Sequence, residues 1–144
     1  MIFLGADHGG FALKEHIKQL LGQKTEDCGA FTLNPDDDYP TYAQSVATRV
    51  LQDPENNSGI LVCRSGGGMA IAANRFTGIR AVECRTSEEV RWARNDDHAN
   101  IMTLSAQWVD PDQVETIVKT FIETPYGKDE RYHRRVQEIE KHYA

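Results

Sequence analysis

At residues 59–75, GILVCRSGGGMAIAANR, an apolar run ends in a cysteine and passes through a serine and three glycines into an alanine-rich segment. Ile60, Leu61, Val62 and Cys63 read as a buried strand, and Gly66, Gly67 and Gly68 mark the turn into a helix. The same unit stands at the start of the chain. Ile2–Ala6 is a short apolar strand, Asp7, His8, Gly9 and Gly10 follow it, and the next helix carries Leu13, Ile17, Leu20 and Leu21 on one face. A weaker strand at residues 25–28 leads through a polar acidic loop at 34–40 to a helix at about 41–51 that buries Tyr42, Val46 and Val50. Residues 79–83 form a fourth strand, 86–94 a helix capped by Thr86 or Ser87, and 101–104 a fifth strand. Residues 110–122 form an amphipathic helix with Val114, Ile117, Val118, Phe121 and Ile122 on one face, and a charged helix spans 128–142.

Strands and helices in this alternation predict the α/β class: a doubly wound, Rossmann-like, five-stranded parallel sheet, one domain over residues 1–144, with a C-terminal helix. Ligands of such sheets bind outside the carboxyl ends of the strands. Three places are assigned there: Asp7 and His8, residues 63–68, and the loop 95–100 before the fifth strand.

The chain has 144 residues, a length suited to one core. Its net charge of -6 argues against nucleic acid and anionic membranes as partners, so an anionic small molecule needs locally placed cations. There is no leader pattern and no long apolar run, and a cytoplasmic location is the expectation. Cys28, Cys63 and Cys84 are an odd number without zinc-site spacing, which predicts reduced thiols and no metal.

A cysteine where a strand feeds a helix start faces unpaired backbone N–H groups, which suit anions. A strand-end cysteine is also, by habit, a small buried hydrophobe. Nucleotide binding lacks its glycine–lysine signature. A cysteine phosphatase needs an arginine six residues after the cysteine, and that position is Met69. A thiolate facing such donors suits proton removal beside a carbonyl, with Cys63 as base and the enediolate held by Ser65 and the N–H groups of Gly66, Gly67 and Gly68. Ser65 is equally suited to cap the helix that follows.

ADHGGFALK, DYPTYA, GILVCRSGGGMAIAANR, GIRAVEC and RYHRRV, in this order over nearly the whole chain, resemble the type B ribose-5-phosphate isomerases and galactose-6-phosphate isomerases. The resemblance implies cofactor-free aldose–ketose isomerisation of a phosphorylated sugar. It also implies a homodimer, or dimer of dimers, whose active sites take residues from both chains. By position it makes Cys63 the proton-shuttling residue with Ser65 beside it, and Asp7, His8, Tyr42 and Gly66–68 substrate contacts. Asp97 and Asn100 join them, and Arg131 and Arg135 hold phosphate. These arginines are four apart and share a helix face, although a solvated, salt-bridged helix is the plain reading of that charged segment. Met69 stands where some relatives carry a glutamate base, so the chain groups with the cysteine users.

Two positions depart from the pattern. The expected His–Asn pair is Asp96 and Asp97, with His98 next to it, and Gln107 replaces a phosphate-binding arginine. Asp96 and His98 are then the candidates for the ring-opening acid. An open-chain substrate needs no such acid. The competing expectations are a sugar-phosphate binder without catalysis, and one subunit of a hetero-oligomeric isomerase.

Overall fold

A computed structural model describes residues 1–142. Its strands are β1 (Ile2–Ala6), β2 (Thr25–Asp27), β3 (Ser58–Cys63), β4 (Ala81–Glu83) and β5 (Ile101–Ser105). Its helices are α1 (Phe11–Leu21), α2 (Tyr39–Val50), α3 (Gly67–Ala73), α4 (Ser87–Asp97), α5 (Val114–Glu123) and α6 (Glu130–His142). All strand pairs are parallel, in the order β2-β1-β3-β5-β4. The predicted doubly wound sheet is therefore present.

Because side chains alternate along a strand, the three inner strands, β1, β3 and β5, supply both cores. Leu4, Ile60, Val62, Met102 and Leu104 face α1, α4 and α5 and meet Ile17, Val90, Ile117 and Phe121. Phe3, Leu61, Cys63 and Ile101 face α2 and α3 and meet Val46, Val50, Met69 and Ala73. Met69 is fully buried, so it packs rather than reacts. The side chain of Lys14 is also fully enclosed. Its Nζ reaches Asp27 Oδ2 at 2.7 Å and Glu15 Oε1 at 2.8 Å, tying α1 to the short edge strand β2.

Some boundaries move for identifiable reasons. The helix after the acidic loop starts at Tyr39, with Pro40 in its first turn, where a missing N–H costs nothing. Strand β4 begins only at Ala81, because Arg80 N donates to the Asn100 side chain. The predicted helix at 110–122 opens with a 3-10 turn, Pro111–Gln113. Thr86 caps α4 in a capping box with Glu89. Leu20 and Ile122 were expected on buried faces, but they are 39% and 37% exposed beside the groove between α1 and α5. No described helix is long and apolar enough to cross a membrane.

Strand β1 connects to β2 on one side, and the chain then returns to lay β3 on the other. The crevice between the carboxyl ends of β1 and β3 is thus the switch point of the sheet.

Candidate active site

Cys63 ends β3 and is 4% exposed, and its Sγ accepts the Gly66 N–H at 3.1 Å. Gly66 makes this possible with φ of 82°, a left-handed conformation that side chains other than hydrogen resist. A Cβ there would lie 3.1 Å from the Leu104 carbonyl carbon, so the loop is pressed onto β5. The contact is tied down from the other side. Ala106 N donates to Cys63 O at 2.9 Å, Gln107 N to Arg64 O at 3.1 Å, and Ser105 Oγ to Arg64 O at 2.7 Å.

Gly66, not Ser65, occupies the N-cap of α3, and no side chain caps it. The capping role considered for Ser65 is overturned, because the positive φ needed at the cap belongs to glycine. Ser65 is half-buried, and its hydroxyl makes no hydrogen bond among the described residues. At seven residues α3 is short. The N–H groups of Gly67 and Gly68 open α3 and, as first-turn groups, have no intrahelical acceptor.

The β1 turn lies against this loop. Asp7 is 7% exposed, and its Oδ1 accepts N–H bonds from Gly9 at 3.0 Å and Gly10 at 3.2 Å. Burial raises its carboxyl above the usual value, opposed by the neighbouring His8 and by these two donors. A Cβ on Gly10 would fall 2.3 Å from the Val62 carbonyl oxygen, so only glycine lets the turn rest on β3. His8 Nδ1 donates to Asp37 Oδ1 at 2.8 Å, and His8 N donates to the same oxygen at 2.9 Å. Tyr42 Oη donates to Asp37 Oδ2 at 2.9 Å. Asp37 is the site residue that sequence reasoning missed: it sits within an acidic loop that reads as solvated, and nothing local distinguishes it from Asp36 or Asp38.

Asp7, His8 and Asp37 bring one possible ligand atom each within 4.8 Å of one another. Those atoms already bond to each other or to backbone donors, so the donor set is that of a hydrogen-bonded group rather than a metal cage. All three cysteines are free thiols. Burial pushes Cys28 up to about 11 and Cys84 up to about 12, as for inert core thiols.

The third predicted place is not at this end of the sheet. Strand register pairs Cys63 with Ser105 and Gly59 with Ile101, so the loop 95–100, which precedes β5, lies beyond the amino ends. One strand length, roughly 16 Å at about 3.3 Å per residue, separates Cys63 from Asp96, Asp97, His98 and Asn100 of the same chain. The expectation that this loop joins Cys63 within one chain is therefore corrected.

That distant end has its own order. His98 closes α4 in a left-handed conformation, with φ of 50°. Its ring stacks on Tyr126 at 4.0 Å, and Tyr126 meets His133 at 4.3 Å. Burial, with the charges of Arg80 and Arg94, lowers the His98 pKa. Burial and the neighbouring Asp96 raise Asp97, while Arg135 opposes the rise. Asn100 is buried and spends its amide on Arg80 N and Gly78 O, both at 2.8 Å, so its duty is to join two loops. Arg131 lies on α6 in a pair with Asp129 at 2.7 Å. Asp129 is held down to about 2 by that side chain and the Arg131 N–H. A concavity of about 740 Å³ on this side is lined in part by Asn74, Arg80, Asp97 and Glu140.

A thiol, a buried carboxylate and open backbone donors at the switch point of a parallel sheet equip an enzyme that moves protons on a small anionic substrate. The family model for ribose/galactose isomerases matches residues 2–139, and the chain belongs to that family. It is by class an aldose–ketose, sugar-phosphate isomerase. It is 37% identical over 139 residues to ribose-5-phosphate isomerase B of Mycobacterium leprae, covering 94% of this chain and 85% of that protein. It is also 37% identical over 112 residues to a 4-deoxy-4-sulfo-D-erythrose isomerase of a Clostridium species, covering 75% of this chain and 69% of that protein. The crystal structure of ribose-5-phosphate isomerase B from Mycoplasma genitalium with bound ribulose-5-phosphate superimposes with a TM-score of 0.93 at 32% identity, covering 99% and 95% of the two chains.

Proposed function

We propose that the chain interconverts an open-chain aldose and its ketose through an enediolate, with Cys63 as the base. The observation that carries this reading is the Gly66 N–H donated to Cys63 Sγ, beside the unpaired N–H groups of Gly67 and Gly68. Cys63 as thiolate takes the proton from C2 of the aldose and returns it to C1. The O2 proton passes to O1, a transfer for which the free Ser65 hydroxyl is placed. Negative charge on the enediolate oxygens is met by the glycine N–H groups, donors already in place before charge develops.

Phosphate holding by Arg131 and Arg135 requires a second copy of the chain. Both arginines belong to α6, which packs beside α4, at the amino end of the sheet. A homodimer that seats this end on the partner's Cys63 loop completes the site, with Asp96, Asp97 and His98 at its margin. The three free thiols support a cytoplasmic enzyme.

For the substrate, the reading is a four-carbon aldose bearing its anion at C4. Such a molecule has no free C4 hydroxyl and cannot close a furanose, so no ring-opening acid is needed where Asp96 replaces histidine. Gln107 offers one neutral donor where arginine would offer a charged fork, which suits a singly charged sulfonate better than a phosphate. The similarity to the Clostridium sulfo-erythrose isomerase supports the same choice.

The test is solvent deuterium incorporation and turnover with ribose 5-phosphate, erythrose 4-phosphate, 4-deoxy-4-sulfo-erythrose and hexose 6-phosphates. Exchange that disappears in Cys63→Ala supports the isomerase; binding without exchange in the parent protein would make it a binder only. Efficient turnover of ribose 5-phosphate that survives replacement of both Asp96 and His98 would overturn the open-chain argument. An active homomeric preparation removes the hetero-oligomer.

A further inference from the structure

Asp37 is tied to the site by three hydrogen bonds, all of them to residues placed in contact with substrate. Its Oδ1 accepts from both the backbone N and Nδ1 of His8, and its Oδ2 accepts from Tyr42 Oη. The carboxylate side chain is only 6% exposed, whereas the imidazole it holds is 43% exposed. With Nδ1 engaged, the free edge of that exposed ring is Nε2. The bonds cross 29 residues to His8 and five to Tyr42, so one side chain aligns the β1 turn with the first turns of α2.

The geometry points to Asp37 as a positioning residue: it fixes the His8 ring through Nδ1 and the Tyr42 hydroxyl through Oδ2, so that His8 presents Nε2–H as a charged donor to an anionic substrate. This rests on the isomerase reading only in calling the anion a substrate. The device supplies a cation to the switch-point end of the chain, where Gln107 offers none.

The charged and titratable groups facing His8 are few. Asp7 precedes it in the turn after β1, Asp37 and Tyr42 approach from the loop and helix α2, and Arg64 lies against Gly9 just past the end of β3. The Asp37 hydrogen bond and the Asp7 charge hold the imidazole above its ordinary value, against partial desolvation. The same contacts with His8 and Tyr42 hold the Asp37 carboxyl down despite its own burial. Both shifts favour the ion pair seen in the geometry.

The experiment is an NMR pH titration of the His8 ring in the parent protein, in Asp37→Asn and in Tyr42→Phe, each with and without inorganic phosphate as the anion probe. In Asp37→Asn the His8 midpoint moves to lower pH, and phosphate binding weakens several-fold between the two measured His8 midpoints but matches the parent below both, where the ring is charged in either protein. Tyr42→Phe leaves the His8 midpoint near the parent value. An unchanged midpoint in Asp37→Asn, or a binding loss equal at both pH values, overturns the proposal; the equal loss is what a merely structural residue gives. Because the readout is ring titration and anion binding, it stands whether or not the protein turns over a sugar.

Discussion

The Gly66 N–H and Cys63 Sγ face each other across 3.1 Å, three residues apart in sequence, at the point where β3 gives way to α3. The thiol is thereby held at the mouth of the switch-point crevice with a donor already aimed at it. Cys63→Ala keeps the packing volume near that of the parent but removes the proposed base. General base catalysis contributes typically ~10²–10⁴-fold. Isomerisation and solvent deuterium exchange should both fall by at least the lower figure, measured by NMR of the product sugar, while the far-ultraviolet circular dichroism spectrum stays that of the parent.

Gly66→Ala tests the loop rather than the thiol. Its φ of 82° and the 3.1 Å approach to the Leu104 carbonyl carbon leave no unstrained place for a methyl group. A left-handed conformation costs a residue with a side chain about 1–2 kcal/mol. Urea unfolding should show a loss of at least that size. The kcat should fall further than stability alone accounts for, because the displaced loop carries the donor to Cys63.

A site shared between chains makes a quantitative prediction. If Cys63 of one chain works with Arg131 and Arg135 of another, Cys63→Ala and Arg135→Ala proteins are each poorly active, and refolding them together creates mixed dimers with one intact site. Random pairing gives about a quarter of the parent activity in a two-fold dimer. Activity no greater than the sum of the two separate proteins would place all these groups in one chain.

Lys14 and Asp27 carry a stability prediction with a definite sign. Burial by itself raises the Asp27 carboxyl, but hydrogen bonds from Lys14, Lys18 and the Gly29 N–H outweigh it and hold it below the usual value. The group therefore binds its proton less readily folded than unfolded. Its contribution to stability is present above the unfolded value of about 4 and is lost as pH falls through the lower folded value. Lys14→Met strands the carboxylate and should cost about 3 kcal/mol near neutral pH, the lower end for a broken buried pair, since Lys18 remains. Asp27→Asn should flatten the acid limb of the stability curve.

His98 works with the same sign in a different window. Burial, then the charges of Arg80, Arg94 and His133, lower its pKa in the folded protein. Unfolding takes up a proton between the folded and unfolded values. Stability is thus full above the unfolded value of about 6.5 and declines as pH drops through the folded one. His98→Asn keeps a residue that tolerates the left-handed conformation but has no titrating ring. Its melting temperature should lose this dependence below about pH 7, together with the stacking on Tyr126.

Much of this architecture is written in short stretches of the chain. The periodicity of Leu13 and Ile17, the apolar run ending at Cys63 and the Thr86–Ser87 pair before a helix are local signals, and each produces the element it predicts, with Thr86 as the cap. Helix α3 and its glycine loop were equally legible, because three adjacent glycines after a buried strand permit little else. Boundaries shifted where a distant side chain intervened, as at Arg80, whose N–H goes to Asn100 instead of a strand partner.

What the sequence by itself determined is the alternation of strand and helix, the thiol at a glycine turn, and the two arginines sharing a face of α6. Only the tertiary structure decided which of these meet. Periodicity specifies which face of an element is buried, not which end of the sheet a loop occupies once strand order is set. Residues 95–100 therefore looked adjacent to Cys63 and proved to be a full strand length away. The same reason hid Asp37: its partners His8 and Tyr42 come from other segments, and only the packing of α2 against β1 makes one carboxylate serve both.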